Sequence, residues 1–305
     1  MSFPGVHVSI QGGLSTAIDR GMSLDCSAIQ IFTHSSRTWA FPTVPDEEVV
    51  RFRTEHARSG IGPVLVHASY LINTATADPV LREKSCEALR QDWLLSNSLG
   101  VSGLVLHPGS AAGQTGKDAV RRSADLICDV MDRVPHGSTR LLLENTAGGG
   151  KTLGRNPEEL SALFEEIGSP GRVGLCLDSC HLFAAGYEIR TDDGYDQVMA
   201  EFLSAAPGNR PDAWHVNDAM FAIGSGRDRH THVGKGHIGP RFFWRLFHDA
   251  RFGACPMILE TPKGETDRED RLNLSVVSIL AGQKHFDECD PALVSALESL
   301  GEPPV

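Results

Sequence analysis

Six short apolar runs in this chain each end in a side chain that could bind a metal ion. A short apolar run is typical of a buried parallel strand, and a carboxylate or imidazole at its end is costly to bury unless it is paired or bound to an ion. Because all six fall at the same place in their runs, a shared function explains them better than chance. The six residues are His67, His107, Glu144, Asp178, His215 and Glu260.

Three further residues have the chemistry and spacing of metal ligands. His181 follows Asp178 by three positions, so the pair needs a turn between them or serves different ions. Asp228 and His230 are two apart, and alternate residues of an extended segment face the same way, so both could bind one ion. Nitrogen and oxygen ligands without thiolates suit zinc, and also manganese or iron. Together the candidates are too many for one tetrahedral ion and predict a cluster with a bridging carboxylate.

Other histidines, cysteines and glycines have simpler interpretations. A lone histidine or glutamate at a strand end more often hydrogen-bonds to a ligand than binds the ion itself. We expect His7 to lie beside the ligands or in the core, and His232 is a weaker ligand candidate. Cys176 and Cys180 are interpreted as small buried residues of the barrel wall, and residues 148–150, all glycine, as a turn rather than a phosphate cradle.

Strands and helices alternate along the whole chain, which predicts eight β-α units and a single-domain (β/α)₈ TIM barrel. In such barrels the active site lies at the C-terminal ends of the strands, where the candidate ligands fall. We assign the barrel to residues 1–282, and a C-terminal extension with a short helix and a loose end at Pro303-Pro304 to 283–305. The predicted strands are 6–10, 28–33, 63–67, 103–107, 140–144, 173–178, 213–216 and 256–260. The predicted helices include 17–21, 46–59, 79–99, 117–134, 195–206, 240–248 and 269–280, with a further one opening at 156–159.

Composition places the chain among ordinary globular proteins, with 41% hydrophobic and 22% charged residues in a length of 305. No apolar run is long enough to span a membrane, and the N-terminus has no signal-peptide pattern, so neither is expected. The seven cysteines include no CxxC pair, which indicates reduced thiols. These observations favour a cytoplasmic protein.

The formal net charge of −11 argues against binding to nucleic acid, because such proteins usually carry a basic surface. The argument weakens if divalent ions concentrate positive charge at one face, since a phosphate feels mainly the charges within a Debye length of about 8 Å. Arg227, Arg229 and Lys235 lie near the histidine-rich loop, and Arg37 follows a predicted strand. The acidity therefore does not exclude a DNA substrate.

Over almost its full length, from about Gly5 to Leu280, the chain resembles the endonuclease IV family of apurinic/apyrimidinic (AP) endonucleases. Several of the matching stretches are long and distinctive. They are HVS at 7–9 with glycines 12 and 13, HASYLIN at 67–73, HPGS at 107–110, ENTAG at 144–148, DSCHLFAAGY at 178–187, HVND at 215–218, DRH at 228–230 and LET at 259–261.

The resemblance implies a site for three Zn²⁺ ions, with Mn²⁺ or Fe²⁺ as possible substitutes. It divides the nine candidate residues among the ions, with Glu144 as the bridging carboxylate. The sets are, for the first ion, His67, His107 and Glu144; for the second, Glu144, Asp178, His215 and Glu260; and for the third, His181, Asp228 and His230.

The same resemblance implies an enzyme of base excision repair, a zinc-dependent deoxyribonuclease acting on damaged double-stranded DNA. It would hydrolyse the phosphodiester 5′ to an abasic site, leaving 3′-hydroxyl and 5′-deoxyribose phosphate ends, and would trim blocked 3′ ends. Glu260, which would orient the attacking water or take its proton, and Glu144 are the expected catalytic residues. Arg37, Tyr70 and Leu71 occupy the positions of side chains that such enzymes insert into DNA at the lesion. A monomer without an obligate protein partner or membrane association is expected.

Two alternatives and two departures accompany this interpretation. A metal-dependent sugar isomerase or epimerase on a related barrel would share the strand-end ligands, but the third set counts against it. A non-catalytic DNA-binding scaffold is poorly supported, because all nine ligands are present. Ala68 replaces an aspartate that some family members carry beside the first ligand, which leaves the support of His67 open. Residues 262–265 also differ from some relatives, so no DNA contacts are assigned to them.

Overall fold

Eight parallel strands close into a barrel in the computed structural model, which describes residues 2–111 and 116–301. Around the barrel the order is β1, β2, β3, β4, β5, β6, β7 and β10, and all neighbouring strands are parallel. All but two of the neighbouring pairs are formed by strands that are consecutive in the chain. The barrel strands are β1 Phe3–His7, β2 Ala28–Ile31, β3 Val64–His67, β4 Gly103–Leu106, β5 Arg140–Glu144, β6 Val173–Asp178, β7 Ala213–His215 and β10 Pro256–Leu259. Two further strands, β8 Asp218–Ala219 and β9 His230–Thr231, form an antiparallel hairpin.

Helices cover the outside of the barrel and begin where the sequence provides caps. Asn156 accepts a hydrogen bond from the Glu159 amide at 2.8 Å, with Pro157 in the first turn, and Asp78 caps its helix in the same way. The helices are α1 Thr16–Ser23, α2 Asp46–Ser59, α3 Pro79–Leu99, α4 Gly116–Arg133, α5 Pro157–Ile167, α6 Ser179–Ala185, α7 Asp192–Ala205, α8 Pro240–His248, α9 Arg268–Gly282 and α10 Pro291–Leu300.

The core has two parts because successive side chains of a strand face opposite sides. A small cluster fills the barrel interior with one residue from most strands, among them Leu65, Val105 and Leu142. A larger cluster lies between the strands and the helices, where Trp93 and Trp214 are fully buried. Each large apolar side chain stabilises the fold by roughly 1.5–3 kcal/mol through burial, so the strand ends are held on a rigid frame.

The predicted fold class, a single-domain TIM barrel, is confirmed, and the first strand is the clearest error. It was predicted at 6–10 but spans Phe3–His7. Gly5 explains the shift: a β-carbon there would lie 1.7 Å from the carbonyl oxygen of Ala28, so the glycine lets β1 lie against β2 where a larger residue could not. His7 therefore lies at the end of its strand, level with the candidate ligands, and not inside it.

Short elements at the strand ends were missed, and the C-terminal region contains a helix. The hairpin β8–β9 and the helix α6 are too short to produce a periodic pattern. The helix α10 packs along α9, while the Pro303-Pro304 end lies outside the described residues. Among the described helices, none is both long and apolar enough to cross a membrane.

Candidate metal centre

The candidate ligands converge because their strands end at one mouth of the barrel. His67, Glu144 and His215 are the last residues of β3, β5 and β7, and His107 and Glu260 lie one residue beyond β4 and β10. Asp178 ends β6 and pairs in register with His215 on the neighbouring strand. The site is thus built by the barrel itself, as the shared position in the apolar runs predicts.

The first group contains His67, His107 and Glu144, with ligand atoms all within 4.8 Å of one another. Oε2 of Glu144 lies 3.3 Å from Nε2 of His67 and 2.9 Å from Nε2 of His107. Three donors around one point leave room for a further ligand, as in catalytic zinc sites.

The second group contains Glu144, Asp178, His215 and Glu260, also within 4.8 Å of one another. Nδ1 of His215 lies 2.9 Å from Oε1 of Glu144 and 3.3 Å from Oε2 of Glu260. Glu144 therefore turns one oxygen toward each of the first two groups, the arrangement a bridging carboxylate requires.

The third group joins α6 to the hairpin β8–β9. Oδ1 of Asp228 lies 3.1 Å from Nε2 of His181 and 3.3 Å from Nε2 of His230. Asp178 also belongs here, since its Oδ2 is 3.5 Å from Nε2 of His230. The resemblance implies Asp178 for the second ion only, and the structure places it between two groups.

A helical turn brings Asp178 and His181 together. Asp178 caps α6, and its Oδ1 accepts a hydrogen bond from the His181 amide at 2.8 Å. The spacing of three residues left two alternatives, a turn or separate ions, and the structure shows the turn. The cap holds Oδ1 at the start of the helix, while Oδ2 lies 3.5 Å from Nε2 of His230 and 3.9 Å from Nδ1 of His215.

Main-chain carbonyls orient three of the histidines. Nδ1 of His67 donates to the Ala68 carbonyl at 2.7 Å, and Nδ1 of His181 donates to the Asn145 carbonyl at 2.9 Å. Nδ1 of His230 donates to the Glu260 carbonyl at 3.2 Å. Each bond leaves the Nε2 lone pair facing the centre, as metal-binding imidazoles require. The support that the sequence left open at Ala68 thus comes from the main chain.

The donor set fits bound cations. Among the described residues, the buried atoms Glu144 Oε2, His181 Nε2 and His230 Nε2 have no hydrogen-bond partner of suitable geometry. Burial opposes ionisation of Glu144, but His215 and His107 outweigh it and hold its pKa well below the usual value. Buried lone pairs around ionised carboxylates are costly unless a cation lies between them. The residues therefore suit divalent ions with nitrogen and oxygen ligands.

Three side chains lie behind the candidate ligands: His7 lies beside them as expected, whereas Gln30 and Asn217 are not predicted from the sequence. Gln30 donates to Oε1 of Glu260 at 2.6 Å, and its carbonyl oxygen lies 2.9 Å from Nε2 of His215. His7 lies 3.0 Å from the Gln30 amide and 3.5 Å from Glu260. Asn217 donates to Asp178 and accepts from the Glu260 amide. The available signal was Gln30 itself, a polar residue inside the apolar run of β2.

Asp218 organises the loop that follows the hairpin. Its buried carboxylate accepts hydrogen bonds from the amides of Gly234, Gly236, Ile238 and Gly239. Burial raises the pKa of Asp218 to about 6, although these donors lower it. The neighbouring His232 hydrogen-bonds to Asn273 instead of joining a ligand group, so the weaker candidate has a structural partner.

The three residues expected to contact DNA surround the mouth. Tyr70 is 59% exposed, and its ring contacts those of Phe32 and His67. Leu71, beside it, is half-buried. Arg37 is exposed in the loop after β2 and lines a groove of about 390 Å³ that reaches His7. The structure thus places all three near the metal centre, and their contacts with DNA stay a prediction.

Two glycines let the hairpin connection approach the barrel loops. A β-carbon on Gly149 would lie 2.3 Å from the carbonyl oxygen of Gly226, whose own φ is +64°. We expect Gly149→Ala to push the connection and Asp228 outward and to weaken binding of a divalent ion at the third group about tenfold or more, because metal affinity depends on the placement and support of the ligands. Titration with Zn²⁺ against a competing chelator tests this. Gly171→Ala is the control, since a β-carbon there meets no atom within 4 Å. Equal effects of the two changes would refute it.

Comparisons with known proteins show which proteins the chain is similar to. A family profile described as "Xylose isomerase-like TIM barrel" matches residues 18–276. A protein named "probable endonuclease 4" from Chloroflexus aurantiacus is 44% identical over 276 residues, covering 90% of this chain and 97% of that protein. The crystal structure of endonuclease IV from Thermus thermophilus superposes with a TM-score of 0.80 at 34% identity, covering 91% of this chain and 98% of that one.

Fold and site together define a xylose isomerase-like TIM barrel with a cluster of metal-capable side chains at its mouth. A D-psicose 3-epimerase from Clostridium cellulolyticum shares the barrel with a TM-score of 0.63, but at 12% identity that likeness concerns the fold alone. The relatives of higher identity decide the family. The chain belongs to the endonuclease IV family, and the resemblance found in the sequence is confirmed.

Proposed function

We propose that this chain is a metal-dependent AP endonuclease of DNA repair that hydrolyses the phosphodiester 5′ to an abasic site in duplex DNA. Membership of the endonuclease IV family supports the class of enzyme. The observation that carries the proposal is the position of Glu144, whose two oxygens face separate ligand groups at one open mouth. Trimming of blocked 3′ ends would use the same site, since the bonds broken are of one type.

Three Zn²⁺ ions are the proposed cofactors, with Mn²⁺ or Fe²⁺ as substitutes. Bound divalent ions would supply the Lewis acidity for phosphodiester hydrolysis at neutral pH. Oxygen and imidazole donors without thiolates support this choice. The proposed ligands are, for the first ion, His67, His107 and Glu144; for the second, Glu144, Asp178, His215 and Glu260; and for the third, His181, Asp228 and His230.

The chain itself would orient the attacking water and hold the scissile phosphate at the mouth. Burial opposes ionisation of Glu260, but His215 and His7 outweigh it and hold its pKa well below the usual value. The ionised carboxylate can therefore accept a proton or hydrogen bond from water at neutral pH. Gln30 fixes Oε1 of this carboxylate by donating to it at 2.6 Å, and Oε2 lies 3.3 Å from Nδ1 of His215.

Tyr70 would recognise the lesion by entering the gap left by the missing base. An exposed ring that already packs on Phe32 and His67 is held in place at little entropic cost. We expect Tyr70→Ala to weaken binding of abasic duplex about ten- to hundredfold, in line with about 1–3 kcal/mol per stacked base. Fluorescence anisotropy with abasic and intact duplexes measures this. Equal weakening on both duplexes would contradict a role in lesion recognition.

Arg37 and Leu71 complete the proposed DNA-contacting set, Arg37 through its exposed guanidinium and Leu71 as an apolar wedge beside Tyr70.

A monomer in the cytoplasm is proposed, since all nine candidate ligands come from one chain and the seven cysteines are free thiols. The division into a barrel, 1–282, and an extension, 283–305, is likewise proposed, with α9 ending at Gly282.

The deciding experiment is incubation of the purified protein with a labelled duplex that carries one abasic analogue, beside an undamaged control. Incision immediately 5′ of the analogue, and none in the control duplex, is expected. Absence of incision with divalent ions confirmed bound would overturn the proposed function and direct attention to sugar isomerisation. Measured metal content separates a failure of the reaction from a failure to load the site.

A further inference from the structure

The segment from 232 to 239, here called the support loop, connects β9 to α8 and directly follows the strand that carries His230. Its position therefore affects where His230 and Asp228 lie. From inside the protein, Asp218 accepts hydrogen bonds from four of its amides. From α9, the side-chain oxygen of Asn273 accepts from the Val233 amide at 3.0 Å.

The outer side of the support loop is covered by α10. A β-carbon built on Gly234 would lie only 2.9 Å from Cδ2 of Leu297, so this leucine rests on the glycine α-carbon. The helix is anchored where it makes this contact, because Leu293 and Leu300 are buried and Arg268 donates to the Ser299 carbonyl at 2.8 Å. Gly234 thus lies between Asp218 on one side and Leu297 on the other.

The helix α10, Pro291–Leu300, lies beyond the part of the chain that the family profile matches, which ends at residue 276. It runs antiparallel to α9, from the base of the barrel toward the mouth, since its last turn lies beside Arg268 at the beginning of α9. The C-terminal region therefore returns to the face where the candidate ligands are.

We propose that α10 is a positioning element of the metal centre. Leu297 holds the support loop against Asp218 and Asn273, and the loop in turn fixes the hairpin that presents His230. Asp218 connects the two directly, since it pairs with Thr231 in the hairpin and also binds the loop amides. Leu297 acts by positioning the support loop and does not bind an ion. The inference rests on the proposed function only in predicting an effect of Leu297 on catalysis.

A simpler role for α10, covering the apolar side of α9, predicts a different result. Loss of Leu297 would then lower the stability of the whole protein without a local effect on the loop. Hydrogen exchange distinguishes the two roles, because it reports the opening of each amide separately. The amides that donate to Asp218 are the appropriate probes.

The test compares Leu297→Ala with Val294→Ala, a control on the exposed side of the same helix. We expect Leu297→Ala to speed exchange of the Gly234, Gly236 and Ile238 amides about tenfold, the order expected when a partly buried leucine loses its packing. Exchange in the barrel strands should not change. Leu297→Met, which keeps the volume, should restore slow exchange.

Kinetics and metal content give a second measurement. Leu297→Ala should lower kcat about two- to tenfold, because a small misplacement of groups at a site is costly, leave KM nearly constant, and weaken retention of one of the bound divalent ions. Unchanged exchange in the support loop, or equal changes in loop and strands, would overturn the proposal. The exchange measurement needs no nuclease activity, so it stands even if the protein does not cleave abasic DNA.

Discussion

Replacing Glu260 by glutamine should reduce cleavage of abasic DNA on the order of 10³-fold or more, the range found for general bases in catalysis. The amide has the shape of the carboxylate but neither its charge nor its ability to accept a proton. Gln30 and His215, which contact the two oxygens at 2.6 and 3.3 Å, would remain in place. Duplex binding should therefore stay within roughly a factor of three, which corresponds to less than 1 kcal/mol.

Single-turnover kinetics and anisotropy on the same duplex separate these two effects, provided that both proteins hold the same number of ions, because Glu260 is also a proposed ligand of the second ion. Glu265→Gln is the matched control, since it makes the same chemical change in the exposed loop after β10 and should leave turnover unchanged. Near-normal turnover by the Glu260 variant would show that this residue does not act on the attacking water. A parallel loss of DNA binding would assign it to substrate binding instead.

Removing the divalent ions should abolish activity and lower the melting temperature by at least about 10 °C, since tightly bound ligands stabilise only the folded state. The stripped protein must keep its carboxylates and imidazoles together without a cation. Burial lowers the pKa of His230, but Asp178 and Asp228 outweigh it and raise it to about 9. In the stripped protein, protonated His230 then supplies the positive charge next to Asp178 and Asp228 that the ion supplies in the loaded protein.

This gives the stability of the stripped protein a definite pH dependence. A histidine whose folded-state pKa is raised contributes stability that is complete below its unfolded value of about 6.5 and is lost as pH rises toward 9. For His230 the loss is about 3 kcal/mol across that window, at about 1.4 kcal/mol per pKa unit. The loaded protein should change in the opposite direction, because ions bind only neutral imidazole.

Urea unfolding at pH 6.5, 7.5 and 9, with and without chelator, measures how the free energy of unfolding of each form changes with pH. His230→Gln should reduce the loss of stability of the stripped protein with rising pH, whereas His136→Gln, at an exposed position, should not. Parallel slopes for stripped and loaded protein would show that His230 is not the group that replaces the ion. Full activity after complete chelation would contradict metal dependence itself.

Much of the fold and of the candidate site could be predicted from the sequence because both depend on local patterns. An apolar run marks a barrel strand, and a polar residue at its end marks the mouth, so the convergence of His67 and Glu144 is predicted without any tertiary information. The helices with strong caps, such as α5 after Asn156, were placed for the same reason.

The remainder depends on contacts between distant parts of the chain. Gln30 reaches Glu260 across 230 positions, and nothing near Gln30 in the sequence indicates that partner. The close approach of Gly149 to Gly226 and the contact of Leu297 with Gly234 likewise exist only after the chain has folded. Hairpin strands of two residues have no periodicity to detect, so the sequence predicts a loop where the hairpin that carries His230 lies.

The hydrogen bond from His67 to the carbonyl of Ala68 has an evolutionary consequence. A main-chain acceptor cannot be removed by changing a side chain. Residue 68 can therefore be substituted while the proton of His67 stays on Nδ1. The orientation of His67 is set by the backbone and not by the side chain at position 68. An alanine at that position therefore keeps the imidazole in place through the main chain alone.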